Sequence, residues 1–476
     1  MTRHLDLPES AVIVIGSGPN ALSAAIVMAQ AGCSVTVLEA ADTVGGGARS
    51  AELTLPGFVH DVGSAVHPFA VASPFFSHLP LANYGLEWVH SPAALAHPFD
   101  DGSAILLERS LDETANALGA DAEGYRKLFA SLLRNWISLS ADFLRPLGIP
   151  STPLAMARFG WNALRPASYV AQSFFSGDKA KAFFAGMAAH SALPLEKRPS
   201  AAFGLVLGLA GHAVGWPIPR GGAQQISNAL SAHLRSLGGT IITSVRVESL
   251  DQLPPARAIL ADVTPRQLLR IAGRRLPRFY RRKLENYRYG PGAFKMDWAL
   301  DSPIPWKSAE CLHAATVHLG GTLQEIATSE KLPWQGSVAE RPFVLLSQPS
   351  LFDSSRAPES NHTVWAYCHV PNGYRGDVSK RIETQIERFA PGFRKRILKR
   401  SIMNPAQLES FNPNLVGGDF NGGATTLKQL FFRPTIQMYA TPLRGLYLCS
   451  ASTPPGGGVH GMCGYGAAGL ALKQMF

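Results

Sequence analysis

Several patterns that usually identify a secreted, metal-binding or nucleic-acid-binding protein are missing from the sequence. The five cysteines are scattered and form no C-x-x-C pair, so neither a zinc site nor a redox disulfide is expected. The first ten residues lack the apolar core of a signal peptide. No block of lysine and arginine resembles a nucleic-acid tract. We therefore expect a reduced, cytoplasmic protein with no metal and no nucleic-acid partner.

Two hydrolase motifs are also missing. There is no G-x-S-x-G, the turn that presents a nucleophilic serine, and no H-E-x-x-H, the helical zinc motif of metalloproteases. Only one glycine-rich dinucleotide motif occurs. The sequence therefore predicts neither a hydrolase nor a separate NAD(P)H domain.

Charged residues are scarce, at 16% of the chain, whereas 46% of the residues are apolar. This composition is typical of an ordered globular protein with a large buried or lipid-facing surface. The formal net charge of +10 suits an anionic cofactor or an anionic membrane surface. The most apolar run, Ala201–Pro219, holds four glycines and His212 and ends in two prolines. It predicts a buried helix in preference to a membrane span.

The N-terminal segment VIVIGSGPNALSAAIVMAQAGCSVTVLE has the pattern of a dinucleotide-binding β-α-β unit. Val12–Ile15 is apolar without alternation, as in a strand covered on both faces. Gly16 permits a tight turn, Gly18 lets the backbone approach a pyrophosphate, and Ala21 allows close packing of helix on strand. Glu39 ends the second strand, where a carboxylate binds ribose hydroxyls. Strand, turn, helix and acid all agree on a nucleotide site, against the alternative of a β-α-β unit that binds nothing.

A second glycine cluster follows the second strand. It consists of Gly45–Gly47 and Arg49, which follow Glu39 within ten residues. NAD domains do not need this cluster, whereas FAD has a ribityl arm and a ring still to place. The sequence therefore favours FAD over NAD.

Several motifs along the chain resemble those of one flavoprotein family. They include GFVHDVGSAVHP (Gly57–Pro68), PIPRGGAQQISNAL (Pro217–Leu230) and PGGGVHGMCGYGAA (Pro455–Ala468). Together with the N-terminal segment they are similar to the phytoene desaturase-like FAD-dependent oxidoreductases. Within that family the chain is most similar to the phytoene-dehydrogenase-related group, also labelled pyridine nucleotide-disulphide oxidoreductase domain protein 2. The resemblance covers essentially the whole chain.

The fold implied by the resemblance is α/β, with a Rossmann-type FAD-binding domain interleaved with an α+β substrate domain. We expect the FAD-binding domain to comprise residues 1–75, 212–275 and 435–476, with Ile241–Leu250 as a strand of its middle block. Residues 76–211 and 276–434 would form the substrate domain, whose helical part would face a membrane. The motif and the resemblance together predict these FAD contacts: Gly16, Gly18, Pro19, Asn20, Ala21, Glu39, Ala40, Gly46, Gly47, Ala48, Arg49, Val245, Gly457, Gly458, Val459 and Met462.

The C-terminal glycines have a role in this family fold. The chain would return to the first domain, where the strand Gly445–Cys449 joins the sheet. The glycine turn and helix that follow would approach the flavin, with amides near Gly461–Tyr465 stabilising negative charge on the ring. His460 is the candidate catalytic residue, because its glycine neighbours would leave it facing the ring; a satisfied core histidine is the alternative.

The expected activity is transfer of a hydride from a lipophilic, carotenoid- or polyene-like substrate to flavin N5, with oxygen or a quinone as acceptor. Three alternatives stay open. One is an amine-oxidase-like flavoenzyme acting on a small amine, one is a carotenoid ketolase or isomerase, and one is a flavin-binding interaction protein with little turnover. Fold predicts the cofactor better than the substrate.

The predicted substrate side combines four residues with a candidate membrane contact. His212, Trp216, Asp419 and Asn421 are expected to line it, although packing and turn roles are equally open. Pro153–Phe175 mixes arginines with aromatic residues, which fits one interfacial helix lying on a membrane. A domain helix with a solvated basic edge is the alternative.

Overall fold

The computed structural model describes Pro8 and residues 10–476; the rest of the predicted first block lies outside these residues. The strands are β1 (Val12–Ile15), β2 (Val35–Leu38), β3 (Ser50–Glu52), β4 (Val59–Asp61), β5 (Trp88–Val89), β6 (Ala93–Pro98), β7 (Ala104–Glu108), β8 (Ile218–Pro219), β9 (Thr240–Ile242), β10 (Ala258–Ala261), β11 (Gly292–Leu300), β12 (Ala314–Leu319), β13 (Val344–Ser347), β14 (His362–Val370), β15 (Ile397–Met403) and β16 (Leu446–Leu448).

Helices connect most of these strands. They are α1 (Pro19–Gln30), α2 (Pro68–Val71), α3 (Leu111–Ala117), α4 (Ala122–Leu133), α5 (Trp136–Phe143), α6 (Pro153–Ala163), α7 (Ala167–Phe174), α8 (Asp178–Ala189), α9 (Ala201–Ala213), α10 (Gln224–Ser236), α11 (Pro265–Ala272), α12 (Arg278–Glu285), α13 (Leu323–Lys331), α14 (Ser379–Phe389), α15 (Pro405–Phe411), α16 (Leu427–Phe431) and α17 (Met462–Met475).

A parallel sheet of five strands, in the order β16-β10-β1-β2-β9, forms the first domain. Alternate residues of β1 enter different cores, which explains its unbroken apolar sequence. Val12 and Val14 pack under α1, α10 and α17, whereas Ile13 and Ile15 pack against α11 and α12. The fold class is confirmed: helices cover both faces of a Rossmann-type sheet. All five strands lie within the three blocks predicted for this domain.

A mixed sheet of seven strands, in the order β15-β11-β14-β13-β12-β6-β7, forms the second domain. Its strands are antiparallel except for β6 beside β12. One face packs against helices α4, α8 and α9 through aromatic residues such as Phe129 and Phe184. The other face packs against α14. The helices α3–α9 therefore form a layer over one face of this sheet.

Two predictions of local structure are wrong. The strand expected from Ile241 to Leu250 ends at Ile242, because Ser244 has a positive φ of 59° and its N–H donates to Ala41 O, which turns the chain out of the sheet. The single helix expected over Pro153–Phe175 is two helices, α6 and α7. Pro166 lies between them, and its ring and missing N–H prevent continuation of α6.

The apolar run from Ala201 to Pro219 forms the buried helix α9, as the sequence predicted, and then turns into β8. Nine of its thirteen helical residues are buried, which places it inside the helical layer. Among the described residues, no helix has the length and apolar character needed to cross a membrane.

Candidate functional site

The first glycine loop joins β1 to α1. Gly16 has a φ of 97°, which L side chains rarely adopt, and its N–H donates to Leu38 O at 2.8 Å. Gly18 is the N-cap of α1, and Pro19 opens the helix. A Cβ on Gly18 would lie 2.9 Å from Asp262 Oδ2. The loop therefore needs glycine for its turn at one position and for close approach at the other.

The second glycine loop lies directly against the first. A Cβ on Gly46, which has a φ of 55°, would lie 2.9 Å from Gly18 Cα. Arg49 is buried beyond this loop, where its Nε donates to Gly46 O at 3.1 Å and its guanidinium stacks on the Phe411 ring at 3.7 Å. Burial lowers the pKa of Arg49, opposed by the charge of Glu39. The two loops thus form one cradle of backbone at the N-terminus of α1.

Glu39 lies at the edge of this cradle, one residue after β2. Its Oε2 accepts from Ser17 N at 2.9 Å and from Ser17 Oγ at 2.5 Å, and its Oε1 accepts from Ala41 N at 2.8 Å. Val245 N donates to Glu39 O at 2.8 Å. The predicted contacts Glu39, Ala40 and Val245 are therefore neighbours, although Val245 is far away in the sequence. Glu39 stays half-buried, in the position of a ribose-binding carboxylate.

Asp262 is a site residue that sequence reasoning missed. It follows β10, and its Oδ2 accepts from Ala21 N at 3.3 Å. Burial raises the pKa of Asp262 to about 7, and the charge of Glu39 also raises it, opposed by the Ala21 N–H. A carboxyl at this point shares the positive end of α1 with any bound phosphate. The only sequence signal was its place at the end of a buried strand of the parallel sheet.

The C-terminal glycine turn has three residues in the left-handed region, with φ of 123° at Gly456, 126° at Gly458 and 71° at Gly461. A Cβ on Gly457 would lie 3.0 Å from Asn421 Cα, so the turn borders the loop that contains Asn421. Gly461 is the N-cap of α17. As predicted, the strand before this turn joins the sheet beside β10.

His460 is buried inside this turn. Its Nδ1 accepts from Met462 N at 3.0 Å, and its backbone O accepts from Ser73 Oγ at 2.7 Å. Burial lowers the pKa of His460 to about 4, against the raising effect of the Gly456 and Gly457 carbonyls, so the ring is neutral at pH 7. These contacts hold the turn at the start of α17. A catalytic role for His460 stays a prediction.

Helix α17 brings the C-terminal turn to the first glycine loop. A Cβ on Gly464 would lie 1.8 Å from Asn20 O, and one on Gly461 would lie 2.2 Å from Ser23 Oγ. Met462 is buried at the same contact, and Val459 is half-buried just before it. Helices α1 and α17 therefore meet at one place, because glycine lets α17 touch the α1 backbone.

A buried group of charges, which we call the clamp (Asp61, Asp353 and Arg356), holds the loop before α10. Arg356 Nη2 lies 3.0 Å from Asp61 Oδ2, and its Nε lies 3.0 Å from Asp353 Oδ2, with all three side chains fully buried. Asp61 Oδ1 accepts from Ala223 N and Asp353 Oδ2 accepts from Gly221 N, each at 2.7 Å. The clamp therefore fixes this loop, Pro219–Gly222 or the P-x-G-G loop, to both domains.

A buried lysine lies near the clamp. Lys295 of β11 forms an ion pair with Asp297, and His60 Nδ1 lies 3.7 Å from Asp297 Oδ1. Burial lowers the pKa of Lys295, and the charges of Asp297 and Asp61 oppose this. Burial also lowers the pKa of His60 to about 3. The neutral histidine and the ion pair leave little net charge at this point. The sequence alone did not indicate this group.

The four predicted substrate residues occupy different places. His212 lies within α9, where Nε2 contacts Tyr125 OH at 2.8 Å and Nδ1 contacts Glu108 O at 2.9 Å. Trp216 is buried, with His190 and His318 as its ring neighbours. Asp419 accepts from Gly290 N at 2.8 Å and from Asn421 N at 2.7 Å. The structure therefore brings Asp419 and Asn421 to the glycine turn and leaves His212 in the helical layer.

Aromatic side chains form a further group that the sequence did not reveal. Trp365 Nε1 donates to Gly63 O at 2.9 Å, and a Cβ on Gly63 would lie 2.1 Å from Gly47 O. The Trp365 and Phe420 rings lie 5.2 and 5.4 Å from that of Tyr367. This aromatic group therefore extends from the second glycine loop into the substrate domain.

Two histidines border the indole of Trp216. His190 Nε2 lies 2.9 Å from His318 Nε2, and the His190 ring lies 5.7 Å from that of Trp216. Burial lowers the pKa of both histidines, His190 to about 3, so both are neutral at pH 7. Among the described residues, no group of three His, Cys, Asp or Glu side chains has the arrangement of a metal site.

Comparison with known proteins agrees with this geometry. The family profile of the NAD(P)-binding Rossmann-like domain matches residues 14–79, which include both N-terminal glycine loops. Pyridine nucleotide-disulfide oxidoreductase domain-containing protein 2 of Rattus norvegicus is 26% identical, over 98% of this chain and 94% of its own length. Phytoene dehydrogenase of Streptomyces griseus is 25% identical, over 95% and 92%. The predicted resemblance is confirmed.

Solved structures show the same fold. Cyclohexylamine oxidase from Brevibacterium oxydans IH-35A aligns with a TM-score of 0.61, at 15% identity, over 98% of this chain and 99% of that chain. At this identity the likeness describes the fold alone. Both domains of this chain therefore have the arrangement of that structure.

The residues present fit a dinucleotide cofactor. The cradle of Gly18 and Gly46 leaves no room for a Cβ, as expected where backbone closely approaches a pyrophosphate. Two polar atoms beside these loops, Asn20 Oδ1 and Ser64 Oγ, are shielded from solvent and have no hydrogen-bond partner among the described residues. Buried polar atoms usually have partners, so both are available to a ligand. The Glu39 carboxylate adds an acceptor for the ribose hydroxyls of such a ligand.

Proposed function

We propose that this chain is a FAD-dependent oxidoreductase that removes a hydride from a lipophilic, polyene-like substrate. The observation that carries the proposal is the convergence of three glycine-rich segments. Gly18 and Gly46 meet at the N-terminus of α1, and Gly464 holds the C-terminal turn against the same helix. A ligand that uses all three segments extends well beyond one pyrophosphate, which supports FAD over NAD.

Each segment has a role in holding the cofactor. Bound FAD supplies the hydride acceptor. The amides at the start of α1 would hold its pyrophosphate, and Glu39 would accept from ribose hydroxyls. Gly457 and Gly458 would leave room for the rest of the cofactor beside the C-terminal turn. The N-terminus of α17 would stabilise negative charge on the flavin. His460 keeps that helix end in place.

The substrate side supports an apolar substrate. Trp365, Tyr367 and Phe420 offer ring surfaces next to the second glycine loop. The nearby His190 and His318 are neutral because they are buried. The Glu330 carboxylate is paired with His369, whose ring stacks on that of Phe420. Aromatic surface of this kind binds a conjugated hydrocarbon and excludes water from the C–H bond that breaks. With a single dinucleotide motif in the chain, oxygen or a quinone is the acceptor that we propose.

Oxidation of a small amine is the second candidate. The aromatic group supports it, because ring faces also attract an ammonium group. A polyene is uncharged and an amine is cationic, so salt and pH should change the reaction rate with the amine more than the rate with the polyene. Anaerobic reduction of the bound flavin by a polyene, but not by an amine, would favour the first proposal.

The first test is the absorbance spectrum of the purified protein and of the Gly18→Val variant. We expect the bands of an oxidised flavin in the wild-type protein and release of free FAD on heating. The introduced valine side chain would meet Asp262 Oδ2 and the Gly46 backbone and so close the cradle to a pyrophosphate; the variant should therefore be colourless. Gly469→Ala is the control, because a Cβ there meets no atom within 4 Å. A wild-type protein that FAD cannot reconstitute, or a Gly18→Val variant with full flavin, would contradict the proposal.

A further inference from the structure

Large apolar side chains are exposed on one part of the helical layer. Ile137 is 85% exposed on α5, Ile149 is 88% exposed in the loop after it, and Leu154 is 68% exposed on α6. Trp161 is 69% exposed at the other end of α6. Soluble surfaces seldom present so many large apolar side chains over a short stretch of chain. We call the surface of α5–α7 and the α5–α6 loop the apolar face.

The loop of this face is held in an ordered turn. The side chain of Asp142 forms an ion pair with Arg145 and accepts from Ser151 N at 2.9 Å. Arg145 Nη2 donates to Ile149 O at 2.7 Å. Below the loop, the Phe143 and Phe159 rings lie 4.4 Å apart and join α5 to α6. Polar contacts therefore fix a loop whose apolar tips point to solvent.

The charges on the apolar face itself are mostly basic. Residues 136–174 contain three basic residues, Arg145, Arg158 and Arg165, and one acidic residue, Asp142. The Asp142 side chain is buried and paired with Arg145. Among the described residues, Arg134, Arg158 and Arg165 form no ion pair. The face therefore presents uncompensated positive charge beside apolar side chains, which complements an anionic, partly apolar surface.

A pocket of about 380 Å³ opens on the same face between α4, α6 and α7. Lys127, Trp161, Arg165 and Tyr169 line it, together with Ser173. The Arg165 guanidinium lies 4.5 Å from the Trp161 ring and 4.9 Å from the Tyr169 ring. Two cations, a hydroxyl and two amphipathic rings are the groups that bind a phosphate at a lipid–water boundary. The volume is within the range of small-ligand pockets.

We propose that the apolar face binds the surface of an anionic phospholipid bilayer, with a headgroup phosphate in the pocket of Lys127 and Arg165. Ile149 and Leu154 enter the boundary between headgroups and acyl chains, and Trp161 and Tyr169 lie at headgroup level. The burial of apolar side chains and the pairing of arginines with phosphates act together, as in other interfacial helices. This surface adds a location to the proposed oxidoreductase and does not depend on the bound cofactor.

Vesicle sedimentation tests this proposal with the full chain. We expect the protein to sediment with vesicles of phosphatidylcholine and phosphatidylglycerol, and weakly with phosphatidylcholine alone. Arg158→Gln/Arg165→Gln should weaken binding about 25-fold, because each basic residue near an anionic surface contributes a factor of about five. Ile149→Asp/Leu154→Asp should weaken it at least as much. Both positions are exposed, so flavin content and thermal midpoint should stay unchanged.

The matched control removes two arginines from a different basic surface. Arg278 and Arg282 belong to α12, which packs against the five-stranded parallel sheet and lies outside the apolar face. Arg278→Gln/Arg282→Gln changes the net charge by the same amount and should leave most of the binding intact. Binding that is lost in this control but kept in Arg158→Gln/Arg165→Gln would overturn the proposal. Vesicle binding by Ile149→Asp/Leu154→Asp at the wild-type level would also overturn it.

A soluble phosphate distinguishes the bilayer from a free anion. Glycerol phosphate at millimolar concentration should displace little protein from the vesicles, because it offers no apolar surface. Full displacement would overturn the bilayer assignment and identify the pocket as a site for a soluble phosphate compound. A colourless protein that still binds vesicles would refute the FAD proposal and leave the bilayer assignment standing.

Discussion

The nucleotide end of the site and the clamp are built from different kinds of residues. The nucleotide end uses glycines that are close in sequence, and its chemistry is that of backbone amides at a helix N-terminus. The clamp joins Asp61 to Asp353 and Arg356, which lie far from Asp61 in the sequence, and it buries three charges. One end depends on small size and turn geometry, and the other on charge pairing. Substitutions should therefore affect the two ends through different physical terms.

The largest effect is expected at the clamp. Arg356→Met would leave the carboxylates of Asp61 and Asp353 buried without their cation. Breaking a buried pair from one side destabilises by about 3–5 kcal/mol. We expect a loss of that size in the free energy of unfolding, measured by urea denaturation, and loss of the flavin as the P-x-G-G loop is released.

The matched control for the clamp is Arg126→Met. Arg126 Nε pairs with Asp112 Oδ1 at 2.7 Å in the helical layer, and both side chains are partly exposed. Such a surface pair contributes less than about 1 kcal/mol. Equal losses in Arg126→Met and Arg356→Met would show that burial does not separate these two ion pairs.

Packing of α17 against the nucleotide end comes next. Gly464→Ala would place a methyl group 1.8 Å from Asn20 O and push α17 away from α1. Overpacking of this kind costs about 1–3 kcal/mol. We expect a lower thermal midpoint and weaker FAD retention. Gly469→Ala in the same helix meets no neighbour and should be neutral or slightly stabilising. Similar behaviour of the two variants would contradict the close α1–α17 contact.

The pH dependence of stability should reveal Asp262. Its folded pKa of about 7 lies above the ordinary 3.8, so the folded protein keeps a proton that the unfolded chain releases. The stability from this group is present below pH 3.8 and is lost as the pH rises to 7. Asp262→Asn should remove that loss, a few kcal/mol at about 1.4 kcal/mol per pKa unit.

The same variant should hold FAD more tightly above pH 7, because a neutral amide does not repel the pyrophosphate. Denaturation midpoints and FAD dissociation constants between pH 5 and 8 provide the measurement, with exposed Asp251→Asn as control. A parallel pH profile in wild type and Asp262→Asn would rule out Asp262 as the titrating group.

The smallest effect is expected at His460. In His460→Asn the amide oxygen can still accept from Met462 N, so the turn should loosen by about 1 kcal/mol. We expect somewhat weaker flavin binding and unchanged turnover per bound flavin. A large fall in turnover at full flavin content would instead support the catalytic role predicted from the sequence.

Local patterns explain why much of the nucleotide end could be predicted. Gly16, Gly18 and Glu39 lie within one β-α-β unit, where spacing along the chain fixes position in space. The strand Leu446–Leu448 was also predictable, because an apolar run before a glycine turn has few other places in this fold. Ser244 shows the limit: its positive φ ended a strand that the apolar pattern extended to Leu250.

The substrate side was less predictable, since its residues meet only after folding. His212 was expected beside the substrate but is satisfied within the helical layer by Tyr125 and the Glu108 carbonyl. Trp365, Tyr367 and Phe420 carried no motif, yet they form one aromatic group. The sequence does not distinguish a histidine or tryptophan that packs in the core from one that binds a substrate.

The sequence by itself determined the nucleotide-binding unit, the interleaved α/β fold and the glycine turn that closes it. Turns and helix starts follow from neighbouring residues, because backbone torsion angles and caps are local properties. Only the tertiary structure decided the clamp, the raised pKa of Asp262 and the apolar face. Each of these depends on burial or on charges from distant parts of the chain, which spacing along the sequence does not encode.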